Sequence, residues 1–416
     1  LNIFNHMVHE TKLTNTLNRM FSLHPKLIDF DLTRLNLLMK KFGNPHNQLS
    51  NVIHIAGTNG KGSTASFLKE IFEAHNYSVN IYTSPHLINF NERIRIKKKK
   101  ISEEMLIDIL EEIESNNKDK PITFFEITTA AALIAFHRKP SDINIIETGL
   151  GGRLDATNII DKKKLCIITK IGFDHTEYLG KTIESIATEK AGILRESLPI
   201  IIAKQNNQKA YKTLIERVQK MKANLIELKS IPSSTPLGLR GKHQYENAST
   251  AYTAAKTIIP NISKSNVIKG LQRTQWHGRI EYIEKGQITK FRNNITILDG
   301  SHNEDVAVVL ENFLNNNSIN NCDLIIGMLN NRNPIEFVNT FKEHINRVFV
   351  ISIPGVESAY SSEELTQELK NIQLSIFGCE NLENALQSAD KNLPLLITGS
   401  LYLTGHVLKY NETVIN

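Results

Sequence analysis

The chain has 416 residues, 40% of them hydrophobic and 22% charged, which is ordinary for a soluble globular protein with room for two or three domains. No run approaches the roughly 18 apolar residues of a membrane span. Leu1 to Glu10 is polar with no signal-peptide core, and the formal charge of +6 suits acidic ligands such as nucleotides and polycarboxylates.

In chain order, Asp31 to Met39 predicts a helix with Leu35, Leu38 and Met39 inward, stopped by Gly43-Asn44-Pro45. Val52-Ile53-His54-Ile55-Ala56 then predicts a strand, and Ala65, Leu68, Ile71 and Phe72 recur on one helix face. Between them lies Gly57-Thr58-Asn59-Gly60-Lys61-Gly62-Ser63-Thr64, around which the chain is organised. Strand, glycine loop and helix is the layout that binds phosphate. The glycines admit an anion close to the backbone, and the loop N–H groups and helix N-terminus point positive dipoles at it. Lys61 adds a cation, and Ser63 or Thr64 offers a hydroxyl near a bound Mg²⁺. The general phosphate-loop pattern places Ser or Thr directly after the lysine; here Gly62 intervenes.

A second strand, Val79 to Tyr82, ends in Thr83-Ser84-Pro85-His86. Lys97 to Lys100 has no interleaved aromatic residues and reads as a solvated hairpin tip, not a nucleic-acid surface. Glu103 to Glu114 and Thr128 to His137 predict helices. The strand Ile143 to Ile146 ends in Glu147 and the glycine-rich run Gly149 to Asp155. Leu165 to Thr169 leads to Phe173-Asp174-His175, and Pro199 to Ala203 follows. The polar stretch Lys285 to Asn294 reads as a linker before a second αβ series. Its strands are expected at Ile295–Leu298, Leu324–Gly327, Val348–Ile353 and Leu395–Thr398, and polar clusters follow at Asp299 to Asn303 and Gly399-Ser400. Polar clusters recur at strand C-terminal ends, the edge where open parallel sheets bind ligands. The expected division is 1–284, a linker at 285–290, and a smaller domain at 291–416.

Glu147, directly after a buried strand, can hold Mg²⁺, and Ser84 at the corresponding end of its strand can supply a hydroxyl. His175 lies on the same edge. In the predicted helix Lys181 to Leu194, Ile183, Ile186, Ala187, Lys190 and Ile193 recur at three- and four-residue steps, so Lys190 faces inward. Two readings stay open for it. It is a lysine that snorkels or pairs with an acid, or a neutral amine that reacts with CO₂ to give a metal-binding carbamate. Cys166, Cys322 and Cys379 have no paired spacing, which points to a reducing compartment, the cytoplasm, and away from zinc or disulfides.

These residues resemble a known family. Gly57 to Ser63, Ser84-Pro85-His86-Leu87 with Asn91-Glu92-Arg93-Ile94, Phe124-Phe125-Glu126, and Glu147 to Asn158 look like folylpolyglutamate synthase/dihydrofolate synthase. So do Asp174-His175, Glu189 to Ile193, His243-Gln244 with Asn247-Ala248, and Asp299 to Asn303. This is the folate branch of the Mur ligase superfamily, and Gly62 is normal for that branch.

The resemblance implies an α/β fold: a Mur-ligase-type central domain with a phosphate loop and parallel sheet, plus a smaller C-terminal Rossmann-like domain. It implies ATP-dependent addition of L-glutamate to dihydropteroate, to folates, or to both, through an acyl phosphate. Catalytic roles fall on Lys61, Glu147, His175 and Lys190, and ATP contacts on Gly57, Thr58, Asn59, Gly60, Lys61, Gly62 and Ser63. Asn247 matches an adenine contact, Arg279 a phosphate contact and Asp299 a ribose contact, with His302 near the nucleotide. Asp29, Phe30, Thr123, Phe125 and Asp155 match the pterin end. Ser84 and Glu147 match one Mg²⁺ site, and Glu147, His175 and the Lys190 carbamate a second; a monovalent cation such as K⁺ is a further expected ion. A monomer acting on small molecules, without nucleic acid or membrane, is expected. The chain departs from the family at Ser301 and Glu304, where Ala and Pro are frequent, and at Asn330-Asn331-Arg332-Asn333, where Asp-Lys-Asp is usual. Gly62 and Ser84-Pro85-His86 disfavour a cell-wall Mur ligase, and the intact Lys61, Glu147, His175 and Lys190 disfavour an inactive regulatory protein.

Overall fold

Helices pack on both faces of two sheets in the computed structural model of the chain, which describes residues 12–23 and 29–415; the polar stretch Leu1 to Glu10 lies outside them. The first sheet holds β1 (Val52–Ala56), β2 (Val79–Tyr82), β3 (Ile94–Ile96), β4 (Lys99–Lys100), β5 (Ile143–Glu147), β6 (Leu165–Ile168), β7 (Pro199–Ile202) and β8 (Asn224–Leu225). Their order is β4-β3-β2-β5-β1-β6-β7-β8, parallel except for β3, which pairs antiparallel with both β2 and β4; the tip of the β3–β4 hairpin at Lys97 and Lys98 is exposed.

The central strands are continuous buried runs because both faces are covered. Alternation across the pleat sends Ile53 and Ile55 to one side, where they meet Phe67, Leu68, Ile71 and Phe72 of the helix Lys61–Ala74. Val52 and Ile146 face the other side, against the helices Glu103–Asn117 and Phe124–Arg138. Each such fully buried side chain contributes about 1.5–3 kcal/mol.

Two helices differ from expectation. Phe124–Arg138 starts earlier than Thr128, because Thr123 and Glu126 form a reciprocal cap that the T-x-x-E spacing encodes. The expected helix Lys181 to Leu194 is α-helical only over Ile183–Lys190, with Thr182 as its cap and a 3₁₀ turn over Ala191–Ile193. Lys190 keeps its inward position as the last α-helical residue and is 5% exposed.

The second sheet holds β9 (Glu281–Tyr282), β10 (Thr296–Leu298), β11 (Cys322–Ile326), β12 (Ile345–Val350), β13 (Ser375–Gly378) and β14 (Leu395–Thr398). Its order is β13-β12-β11-β14-β10-β9, with β9 alone antiparallel. Glu281 and Tyr282, placed in the first domain by sequence, pair with Leu298 and Ile297 of the second. The expected linker 285–290 is packed there too: Ile288 is fully buried and Asn411 binds both Ile288 N and Lys285 O. Its polarity reflects surface turns, and the crossing between domains runs instead through residues 274–280, between the helix Lys264–Arg273 and β9. Among the described residues no helix is long and apolar enough to cross a membrane, and the three cysteines are free and buried.

Candidate functional site

A cleft of about 430 Å³ opens between the C-terminal edges of the two sheets. Most of the residues singled out from the sequence lie on its wall; Gly57, Lys190 and Asp299 lie behind it.

The glycine loop forms one end. Thr58 N and Asn59 N both donate to Lys170 O, at 2.9 and 3.1 Å, which ties the loop to the end of β6. Gly60 caps the following helix in the left-handed region, φ 87°, and a Cβ there would meet Asn247 Oδ1 at 2.4 Å. Asn247 is itself steadied by Gln244, its Nδ2 donating at 2.9 Å. Gly62 has a similar reason: a Cβ would lie 2.7 Å from the ring of Trp276, the chain's one tryptophan. The residue that interrupts the general phosphate-loop pattern is thus the space for an indole. Lys61 Nζ donates to Gly57 O and Thr58 O at 3.1 and 3.3 Å and stands 4.0 Å from Glu147 Oε1.

Glu147 is 4% exposed and its Oε2 has no hydrogen-bond partner. Burial pushes its carboxyl up to about 7, opposed by Lys61 and by the Ser84 N–H. A buried oxygen donor with a free lone pair fits a hard divalent cation. His175, φ 50°, lies 3.8 Å from Asp174 Oδ1 through Nε2 and 3.9 Å from Glu177 Oε1 through Nδ1. Burial lowers its pKa and so favours the neutral, ligating form. Among the described residues no three His, Cys, Asp or Glu side chains converge as a metal centre, so Glu147 and His175 need the other expected ligands. Lys190 Nζ donates to Gly57 O at 2.9 Å, and burial, reinforced by Lys61, lowers its pKa to about 7. Part of that amine is therefore neutral at neutral pH, the form that the carbamate reading requires.

The second domain supplies the other wall. Arg279, half-buried, feels both Asp299 and Glu147, and its Nη1 donates to Gly278 O at 2.9 Å. Asp299 does not face the cleft as the ribose reading expects. Its oxygens accept from Ile280 N at 2.8 Å and Ser301 N at 2.9 Å, and the Ser301 hydroxyl joins them. That third donor is what Ser301 adds over alanine. His302 reaches the wall, its pKa lowered to about 4 by burial and by Arg332.

Arg332 was missed as a site residue. Its Nη1 lies 2.7 Å from Asp174 Oδ1 across the cleft, with the side chains 15% and 14% exposed. Burial works to raise Asp174, but His175, Arg332 and His302 together hold it far below the usual carboxylate range. The available signal was the cation kept at the centre of the Asn-rich run. Lys170 and Lys204, also on the wall, follow β6 and β7 and were legible by the strand-end rule.

At the pterin-side end, Asp29 pairs with Arg34 at 2.8 Å, and Arg34 also reaches Glu126. Phe30 meets Tyr178 edge-on at 6.1 Å. Thr123 lines the cleft although its hydroxyl caps Glu126 N. Phe125 stacks on Tyr82 at 6.3 Å, and Gly149 leaves room for its ring, since a Cβ there would come within 2.3 Å. Asp155 is 3% exposed and accepts from Leu150 N and Thr157 N at 2.8 and 3.0 Å.

Residues 55–234 match the family model for the Mur ligase middle domain, and 280–410 that for the dihydrofolate synthetase C-terminal domain. The chain is 31% identical to a Haemophilus influenzae dihydrofolate synthase/folylpolyglutamate synthase, over 91% of this chain and 93% of the relative. E. coli FolC in complex with DHPP and ADP superposes with a TM-score of 0.86 at 28% identity, covering 96% of this chain and 97% of that one. The bifunctional Yersinia pestis folylpolyglutamate synthase/dihydrofolate synthase complexed with AMPPNP and Mn ion gives 0.84 at 27% identity, covering 96% and 98%.

Proposed function

The chain belongs to the dihydrofolate synthase/folylpolyglutamate synthase family, ATP-dependent ligases that join glutamate to dihydropteroate or to folates, and we propose that it serves both acceptors. The observation that supports this is one continuous cleft. It runs from the glycine loop, past Lys61 and Glu147, to Phe125 and Asp155. An acceptor lying on the aromatic end presents its carboxylate to the γ-phosphate held at Lys61 and Arg279. The carboxylate oxygen attacks the γ-phosphorus and ADP leaves; the glutamate amine then attacks the acyl carbon, gives up a proton and expels inorganic phosphate, which leaves far more readily than a carboxylate oxygen. Mg²⁺, when bound, neutralises charge as the two anions meet. Ser84 and Glu147 would hold one ion, and Glu147, His175 and a Lys190 carbamate a second.

The test is a purified-enzyme assay with dihydropteroate and tetrahydrofolate side by side, with products resolved by mass. Phosphate release should require an acceptor and glutamate together, and both acceptors should be extended. Extension of tetrahydrofolate alone would restrict the activity to polyglutamylation.

The Arg332–Asp174 pair joins the two walls and supports closure over the substrates. Arg332→Ala should lower kcat/KM about tenfold, a loss of about 1.4 kcal/mol, with little change in Tm because the pair lies at a domain junction and not in either core. Small-angle scattering with an ATP analogue and folate should show a larger radius for the variant than for the parent. Equal radii would argue against a closing role.

A further inference from the structure

His54 is the middle residue of β1 and is fully buried among Val52, Ile53, Ile55 and Ala56. An apolar side chain would fill this place without leaving a polar atom stranded, as Nδ1 is here. The other ring nitrogen, Nε2, lies 2.8 Å from Thr157 Oγ1. The Thr157 hydroxyl donates to Asp155 Oδ1. A hydroxyl has one hydrogen, so Nε2 must be the donor to Thr157. Burial, with Lys163 and Arg195 nearby, holds His54 neutral, which leaves Nδ1 bare; it is the atom without a partner.

We propose that His54 is a positioning residue for the acceptor substrate, acting through Thr157 on Asp155. The imidazole N–H points the hydroxyl, and the hydroxyl, with the N–H groups of Thr157 and Leu150, holds the Asp155 carboxylate in one orientation on the cleft wall. Without the imidazole, the Thr157 hydroxyl is free to rotate away, and Asp155 loses the strongest constraint on Oδ1. The chain His54–Thr157–Asp155 starts on the strand that leads into the glycine loop, so the 3₁₀ turn at the acceptor end is tied by a hydrogen bond to the strand that carries the phosphate end. The inference rests on Asp155 as the contact for the hydrogen-bond donors of the bound acceptor.

The test compares His54→Leu, His54→Gln, Thr157→Val and Asp155→Ala in the full-length protein, with dihydropteroate as the probe. His54→Leu and Thr157→Val should each raise KM for dihydropteroate about tenfold, with kcat and KM for ATP within about twofold of the parent. Their double variant should be no worse than either alone, because both break the same chain. His54→Gln, whose amide N–H can stand near Nε2, should restore most of the loss. A purely structural histidine would shift Tm and leave KM unmoved, or would change KM equally in the Leu and Gln variants; either result overturns the proposal. If Asp155→Ala raises KM while His54→Leu does not, the relay alone falls. If Asp155→Ala leaves KM unchanged, Asp155 is no acceptor contact and the relay falls with that reading.

Discussion

Lys61→Ala is expected to lower kcat by about a hundredfold, corresponding to the loss of roughly 3 kcal/mol of transition-state stabilisation. The ammonium sits at the mouth of the glycine loop, 17% exposed, hydrogen-bonded to Gly57 O and Thr58 O and 4.0 Å from Glu147 Oε1. Thr58 borders the cleft, so water can reach its carbonyl, and Gly57 O keeps the bond from Lys190 Nζ, so the fold should survive. A second effect follows from Glu147. Lys61 is the largest influence opposing the burial that raises its carboxyl, so without the lysine Glu147 should take a proton at still higher pH. The residual activity of Lys61→Ala should therefore have its acid limb displaced to higher pH than that of the parent. Near-normal turnover, with Tm and ATP dependence unchanged, would refute the phosphate-loop assignment.

Lys190→Ala is expected to be nearly inactive, at least about a hundredfold down, while remaining folded. The argument is electrostatic. A buried ammonium beside Lys61 would oppose any divalent cation held by Glu147. Burial lowers the Lys190 pKa to about 7, so at neutral pH much of the amine is free to attack CO₂. The new N–C bond forms as a proton leaves, and the product is an anion on a long stem.

The pH sign is set by both groups. Below about 7 Lys190 is protonated and cannot form the carbamate, and Glu147 is protonated and loses its ligand oxygen. Activity should rise as pH rises through this region, with metal binding drawing the limb to lower pH. Enzyme stripped of CO₂ at mildly acid pH should lose activity and recover it with bicarbonate. Lys190→Glu should recover part of the activity of the alanine variant, because it returns a carboxylate on a shorter stem. Intact mass of a fully active, metal-loaded enzyme showing unmodified Lys190 would leave it as an ordinary buried amine bonded to Gly57 O.

Much of the site was legible because its parts are local in sequence. Ser84, Glu147 and His175 each end or follow an apolar run, and a parallel sheet collects such ends on one edge. The inward phase of Lys190 followed from helical period alone, and it held although the α-helix is shorter than expected. The packing of the stretch expected as a linker was not legible in the same way. Lys285 to Asn294 is polar along the chain, but polarity does not reveal that Ile288 is buried with its N–H on Asn411, or that the two-residue β9 just before it pairs with β10.

By itself the sequence determined the two α/β series, the glycine loop and which side chains stand at strand ends, since each depends on neighbours a few residues away. Only the tertiary structure decided that Gly62 makes room for Trp276, that Gly60 abuts Asn247, and that Arg332 crosses to Asp174. It also turned Asp299 onto its own turn and placed Thr157 beneath His54. The physical reason is common to all of these. Apart from the short Asp299–Ser301 turn, they join residues far apart along the chain, so no local period encodes them. The charge states of Glu147 and Lys190 likewise come from desolvation by the whole surrounding fold.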